Sequence, residues 1–158
     1  MNYGGILLWG FVASMVVTAV MSIGQGLGLS RMSLPFMLGT MFTANRDRAG
    51  RVGFFAHLLL GWLLALIYAA AFQSWRSANV WLGAGIGVVH ATVVLVGVMP
   101  NLPALHPRMA SEHHGPEPTR QLEPPGFLAL NYGRQTPALT LVSHILYGAI
   151  LGAFYRLG

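Results

Sequence analysis

Three histidines, His57, His90 and His144, lie in three separate apolar stretches of the sequence. Imidazoles in such surroundings suit ligation: two can hold a haem iron axially, three a transition metal, and one a chlorin. The competing reading is a neutral ring hydrogen-bonded to a backbone carbonyl, or to Tyr68 or Tyr155, acting as polar glue between helices. No carboxylate lies inside those stretches to orient a ligating imidazole, which weighs against the metal version. A second group, His106, Glu112, His113 and His114, falls in a proline-rich stretch and reads as a labile metal site. Its spacing matches no closed tetrahedral pattern, so a solvated polar loop competes with it. Met99 and Met109 nearby offer soft sulfur donors of the kind copper(I) prefers, although methionine is also ordinary filler in apolar helices.

Catalytic chemistry finds little support. There is no cysteine, which excludes thiolate metal sites, iron–sulfur clusters, disulfides and cysteine nucleophiles. All four acids, Asp47, Glu112, Glu117 and Glu123, lie outside the apolar stretches, so no buried acid–base pair can be named. Ser143 beside His144 is not expected to act as a nucleophile–base pair, because consecutive helical positions do not face each other. A proton or ion pathway would normally bury an Asp or Glu, and none is available. The sequence therefore reads as that of a protein that is not an enzyme.

The elements that must carry these histidines follow from composition. Of 158 residues, 54% are hydrophobic and only 8% charged, against about 25% charged in soluble domains. Uncharged helices and abundant glycine are stable where the solvent is lipid, so an all-α integral membrane protein is expected, as one domain over 1–158. About 20 apolar residues at 1.5 Å each cross a hydrocarbon core of about 30 Å. Four stretches meet that length: 4–29, 52–75, 79–99 and 137–155. The first lacks a basic leader and exceeds a signal-peptide core, so it is read as retained. The apolar piece Leu34 to Phe42 is too short to cross and is expected to lie on the surface or re-enter. Asn45 to Arg51 reads as a polar junction.

Eight of the nine prolines fall from Pro100 to Pro137, predicting a long irregular loop over 100–136, with Phe127 to Tyr132 able to dock on the bundle or the interface. All nine cationic side chains are arginine, and they are dispersed rather than clustered. That distribution argues for a topology signal and against nucleic-acid binding. Arg31, Arg46, Arg48, Arg51, Arg108, Arg120 and Arg134 lie in the loops joining spans one to two and three to four; only Arg76 and Arg156 lie opposite. The bias puts those loops in the cytoplasm and both termini outside. Arg46, Arg48 and Arg51 would meet anionic headgroups.

The second and fourth spans repeat a pattern. His57, Gly61, Ala65 and Tyr68 align with His144, Gly148, Gly152 and Tyr155 as H-x3-G-x3-[AG]-x2-Y. These offsets fall on one helical stripe, and small residues there admit a neighbouring backbone closely. Both helices run the same way, so the simplest arrangement is two parallel helix pairs, an internal two-plus-two repeat. In the third span Gly83, Gly87, His90 and Gly97 form a similar seam; in the first, Gly10, Ser14, Thr18 and Ser22 do. At 1.5 Å per residue, His57 and His144 lie roughly 8–10 Å from their helix ends and His90 roughly 14 Å, so one layer could hold all three.

A His-led second span, a glycine-rich third span running into Met99-Pro100-Asn101-Leu102-Pro103, and a His-led fourth span together resemble the small bacterial inner-membrane proteins of the YagU-like kind. The resemblance covers about the last two-thirds of the chain. It implies a four-helix inner-membrane fold and brings no catalytic residues with it.

The sequence thus points first to a non-catalytic accessory or scaffold subunit in the bilayer. It would pack on itself or on larger membrane proteins through Gly61, Ala65, Gly83, Gly87, Gly148 and Gly152, with Trp9, Trp62, Trp75 and Trp81 as interface anchors. The competing class is a redox or pigment subunit holding haem, chlorin or a transition metal on His57, His90 and His144, with His106, His113 and His114 as a separate metal group. A third class, a transporter of small solutes or metal ions, predicts a polar passage joining Ser14, Thr18, His90 and Thr92.

Overall fold

The computed structural model describes residues 1–111 and 122–158, and within them the chain is helical, with one isolated bridge between Met109 and Leu122. Glu112, Glu117, His113 and His114 lie outside the described residues. Four helical stretches are long and apolar enough to cross a membrane: Tyr3–Gly26, Arg46–Ser74, Val80–Leu105 and Thr136–Phe154.

Polar residues set the helix starts. Asn2 caps α1 (Tyr3–Gly26) by accepting from the Gly5 amide at 2.9 Å. Asn45 caps α3 (Arg46–Ser74), and Asn79 caps α4 (Val80–Thr92), each accepting from the amide three residues on at 3.0 Å. These side chains satisfy amides that a helix start would leave open. The Asn45 cap explains why α3 begins at Arg46 rather than at Val52: the polar junction becomes helix, with Asp47 in its favourable first turn. Between α1 and α3, α2 (Leu34–Phe42) lies along the first turns of α3. A Cβ at Gly39 would fall on the Ala49 carbonyl, and one at Gly53 on the Pro35 carbonyl, so these glycines let the two backbones touch.

The third rod runs further than the sequence suggests. After α4 comes a π-helical stretch, Val93–Val98, and then α5 (Met99–Leu105), which contains Pro100 and Pro103. A proline inside an α-helix loses a hydrogen bond and collides with the carbonyl four residues back. Here the Met99 amide reaches the Val94 carbonyl, five residues back, and Asn101 Nδ2 donates to the Gly97 carbonyl at 2.8 Å. The wider turn accommodates the prolines, and the helix ends at Leu105 rather than Met99. Two short turns over Phe127–Tyr132, kinked at Leu128 and Ala129 where φ is +55° and +57°, then lead to α6 (Thr136–Phe154).

Within the bundle α1 packs on both α3 and α6, and α4 packs on α6. The two close pairs use small residues in matching register. Gly10 and Ser14 of α1 meet Ala65 and Gly61 of α3; Asn79 and Gly83 of α4 meet Gly152 and Gly148 of α6. In the second pair a Cβ at Gly83 would fall on the Gly148 carbonyl, and one at Gly87 on the His144 carbonyl. By contrast α3 and α4 are spaced apart, bridged by Tyr68 and His90.

Both ends are tied. At the terminal end Tyr155 Oη accepts from the Asn2 amide and Gln73 Nε2, each at 3.2 Å, and Trp9 stacks on Phe154. At the loop end Ser30 and Thr136 hydroxyls meet at 2.7 Å, and Arg31 pairs with Glu123 at 3.1 Å. There Tyr132 donates to the Glu123 carbonyl at 2.6 Å; burial, with the Glu123 charge, pushes its phenol up to about 12.

Candidate functional site

Between the helices lies a cavity of about 370 Å³, within the range of small-molecule sites. Its walls come from α1, α2, α3, the end of α4, the π-helical stretch, α5 and α6, and all three span histidines line it. Single π-helical turns often mark functional sites, and Val93, Val94 and Val98 form part of this wall. Its most exposed lining residues are Leu60 (41%), Val93 (55%) and Val98 (42%), on either side of the space between α3 and the π-helical stretch. The cavity opens sideways there, toward what would be the hydrocarbon layer.

The histidines differ in how they are satisfied. His144 Nδ1 donates to the Thr140 carbonyl at 2.7 Å, leaving Nε2 as a bare acceptor. His90 Nδ1 is hydrogen-bonded to Tyr68 Oη at 3.2 Å. These two follow the packing reading of a membrane histidine. His57 does not: it is 7% exposed, and neither ring nitrogen has a hydrogen-bond partner. Its nearest polar groups are the Ser14 carbonyl, which it approaches without hydrogen-bond geometry, and the His144 ring. Thr140, 2% exposed, likewise has an unpartnered hydroxyl. Among the described residues these two supply all the buried side-chain nitrogen and oxygen atoms left without a partner, and both line the cavity.

Around this polar pole is an aromatic wall. His90 and His144 meet edge to face with centroids 4.5 Å apart, and Tyr68 and Tyr147 do so at 5.3 Å. Trans axial ligation of one iron would hold two ring nitrogens about 4 Å apart with the rings further out and a macrocycle between them. The direct contact of His90 with His144 does not match that geometry. Among the described residues no three His, Asp or Glu side chains group as a metal ligand set.

His106 sits beyond Leu105 with both nitrogens engaged. Nε2 donates to the Met37 carbonyl at 2.9 Å, and Nδ1 accepts from the Arg108 amide at 3.1 Å. Burial, partly offset by the bond to the Met37 carbonyl and reinforced by the Arg108 charge, holds its pKa below the ordinary value, and the ring ties the chain after α5 to α2. It has no free lone pair for a metal, and its two supposed partners, His113 and His114, lie outside the described residues.

The polar passage expected of a transporter is not assembled. Ser14 and His90 line the cavity, but Thr18 bonds the Ser14 carbonyl and Thr92, exposed, bonds the Val88 carbonyl. Ser143 and His144 come to 3.4 Å, nearer than neighbouring helical positions usually do. Both donate to the Thr140 carbonyl, so the imidazole nitrogen near the serine is not available as a base.

Sequence reasoning missed Thr140 and Tyr147, which stand four before and three after His144 and so share its helical face. It also missed that five of the eight methionines, Met21, Met32, Met37, Met41 and Met99, line one cavity. No family profile, curated protein or solved structure matches the chain.

Proposed function

We propose that the chain is a non-catalytic multi-pass membrane protein that holds a small, uncharged, mostly apolar molecule between its helices. The molecule is taken from the bilayer through the space between α3 and the π-helical stretch. The observation that carries this reading is that His57 and Thr140, the two residues with unpartnered buried polar atoms among those described, both line the sideways-opening cavity. Buried polar groups are normally hydrogen-bonded, and an unpaired one is costly. A ligand carrying one polar group would satisfy them. Among the described residues no Arg, Asp or Glu lines the cavity, so a charged ligand would be buried there without a counter-charge.

The arginine distribution supports loops in the cytoplasm and both termini outside, as in a bacterial inner membrane. The matching registers of α1 with α3 and of α4 with α6 support descent from a two-helix unit. The proline-rich loop following α5 belongs to the same cytoplasmic face. An accessory role alongside a larger membrane complex is the second reading. Gly85 and Gly97 favour it, since a Cβ at either would meet open space where another helix could approach.

The test is to purify the protein from native membranes in mild detergent and record oxidised and reduced absorption spectra. Solvent extracts and metal content are then analysed by mass spectrometry. One neutral amphiphile near equimolar amount, lost when Val94→Trp fills the cavity, is expected. A cavity that yields only detergent and bulk lipid would overturn the ligand reading, and a stoichiometric Soret band or metal would replace it with the cofactor reading.

A further inference from the structure

We infer that the occupant is a quinone, an identification that rests on the ligand reading above. The polar pole offers both hydrogen-bonding senses without any charge. A neutral His57 ring presents one donor nitrogen and one acceptor nitrogen, and Thr140 presents a hydroxyl that can do either. His144 adds a bare acceptor, because its other nitrogen is committed to the Thr140 carbonyl. A quinone carbonyl needs donors and a quinol hydroxyl needs an acceptor. This set serves both forms of one ring, whereas a fatty acid or a phospholipid phosphate would lack a cation.

A flat ring is favoured by what surrounds the pole. Tyr68, His90, His144 and Tyr147 form a continuous edge-to-face cluster, with His90 and Tyr147 centroids at 6.2 Å. Of these, His90, His144 and Tyr147 line the cavity and offer ring faces and edges to a planar guest at offset or perpendicular geometry, with Tyr68 packed behind them. The methionines that line the rest of the cavity are flexible and make favourable contacts with π systems, so they suit an unsaturated side chain. The volume of about 370 Å³ accommodates a substituted ring and the start of its chain. The remainder of an isoprenoid tail would leave between Leu60 and Val93, the direction in which the cavity is open.

The probe is a ubiquinone analogue with a decyl chain, added to the full-length protein in detergent. Retention through gel filtration is quantified by mass spectrometry, with farnesol, an isoprenoid alcohol without a ring, as competitor. Near-equimolar retention is expected for the wild type and for Thr92→Val, whose lost hydroxyl lies outside the cavity. His57→Leu and Thr140→Val should each weaken retention about tenfold, the effect of losing one buried hydrogen bond. If His57→Leu fails to fold, the isosteric Thr140→Val carries the comparison alone. Farnesol competing as well as unlabelled quinone, or unchanged retention in the cavity variants, would overturn the quinone assignment while leaving an apolar-ligand site. Failure of both probes, together with an empty native extract, would overturn the site itself.

Discussion

The phenol of Tyr147 on α6 donates to the main-chain carbonyl of Gly61 on α3 at 2.6 Å, and it does so in a buried setting. That carbonyl belongs to the helix that carries His57, and Tyr147 is on the helix that carries His144. The bond therefore fixes the spacing of two cavity walls that otherwise touch sparingly. Gly61 also receives the Ser14 side chain from α1, so three helices meet at one residue without a side chain.

Tyr147→Phe keeps the ring and deletes the bond. It should lower stability by about 0.5–1.5 kcal/mol, the range for one hydrogen bond between membrane helices. Thermal unfolding in detergent, followed by circular dichroism, measures it; an unchanged midpoint would show that the bond holds nothing in place.

Gly83 and Gly85 make a matched pair on α4. An added Cβ at Gly83 meets the Gly148 carbonyl, which cannot rotate away, whereas at Gly85 it meets open space. Gly83→Ala should cost about 1–3 kcal/mol by forcing α4 from α6. Gly85→Ala should be neutral or stabilise by up to about 1 kcal/mol through helix propensity. Equal midpoints for the two variants would refute the close α4–α6 contact.

The four long helices were legible because length without charge is a sufficient sign of a helix able to span, and the stripes of small residues include the positions where two backbones approach. Their ends were not. Asn45 and Asn79 are ordinary polar residues until a helix starts after them, and Pro100 and Pro103 signal a break unless a wider turn precedes them. The three histidines could be placed at one level from spacing alone. Which of them lacks a partner could not, because Tyr68 and the Thr140 carbonyl reach His90 and His144 from another helix and another turn, and nothing comparable reaches His57. A cavity is still less visible, since it depends on summed side-chain volumes rather than on any pattern.

His106 gives a pH dependence with a definite sign. Its folded-state pKa lies below the ordinary value of 6.5 because burial disfavours the charged ring. The unfolded chain therefore binds more protons between those two values, and stability rises with pH there. The contribution is whole above about pH 6.5 and is lost as pH falls through the lowered folded-state value. Protonation would also set a second donor against the Arg108 amide. Protection of the α2 and post-α5 amides, taken as the exchange rate relative to the intrinsic rate at each pH, should fall on acidification in the wild type, and the fall should shrink in His106→Gln.

Helices α1 and α3 end alike but with different residues. After α1, Gly28 takes φ +72°, with its amide on the Gln25 carbonyl and the Leu29 amide on the Gly24 carbonyl. After α3, Arg76 takes φ +51° in the same pattern, with Ser77 bonded to Phe72. The left-handed conformation costs a side-chain-bearing residue about 1–2 kcal/mol. Arg76→Gly should raise the unfolding midpoint and Gly28→Ala should lower it; both variants moving the same way would contradict the assignment.

Orientation can be read from the ends of α3 in a chain that contains no native cysteine. Gly50→Cys and Ser74→Cys lie on exposed positions near opposite ends of that helix. From outside the cell a membrane-impermeant maleimide should label Ser74→Cys and spare Gly50→Cys. The reverse pattern would invert the topology.

The space between α3 and the π-helical stretch also decides how affinity must be expressed. On the proposed route a guest would equilibrate with the acyl-chain phase and not with water, so the governing quantity would be its mole fraction among lipids. Two guests of equal fit but unequal partitioning then differ in apparent aqueous dissociation constant while filling the protein equally at the same membrane loading. Extra micelles at constant guest act as surface dilution and empty the protein, even though no contact within it has changed.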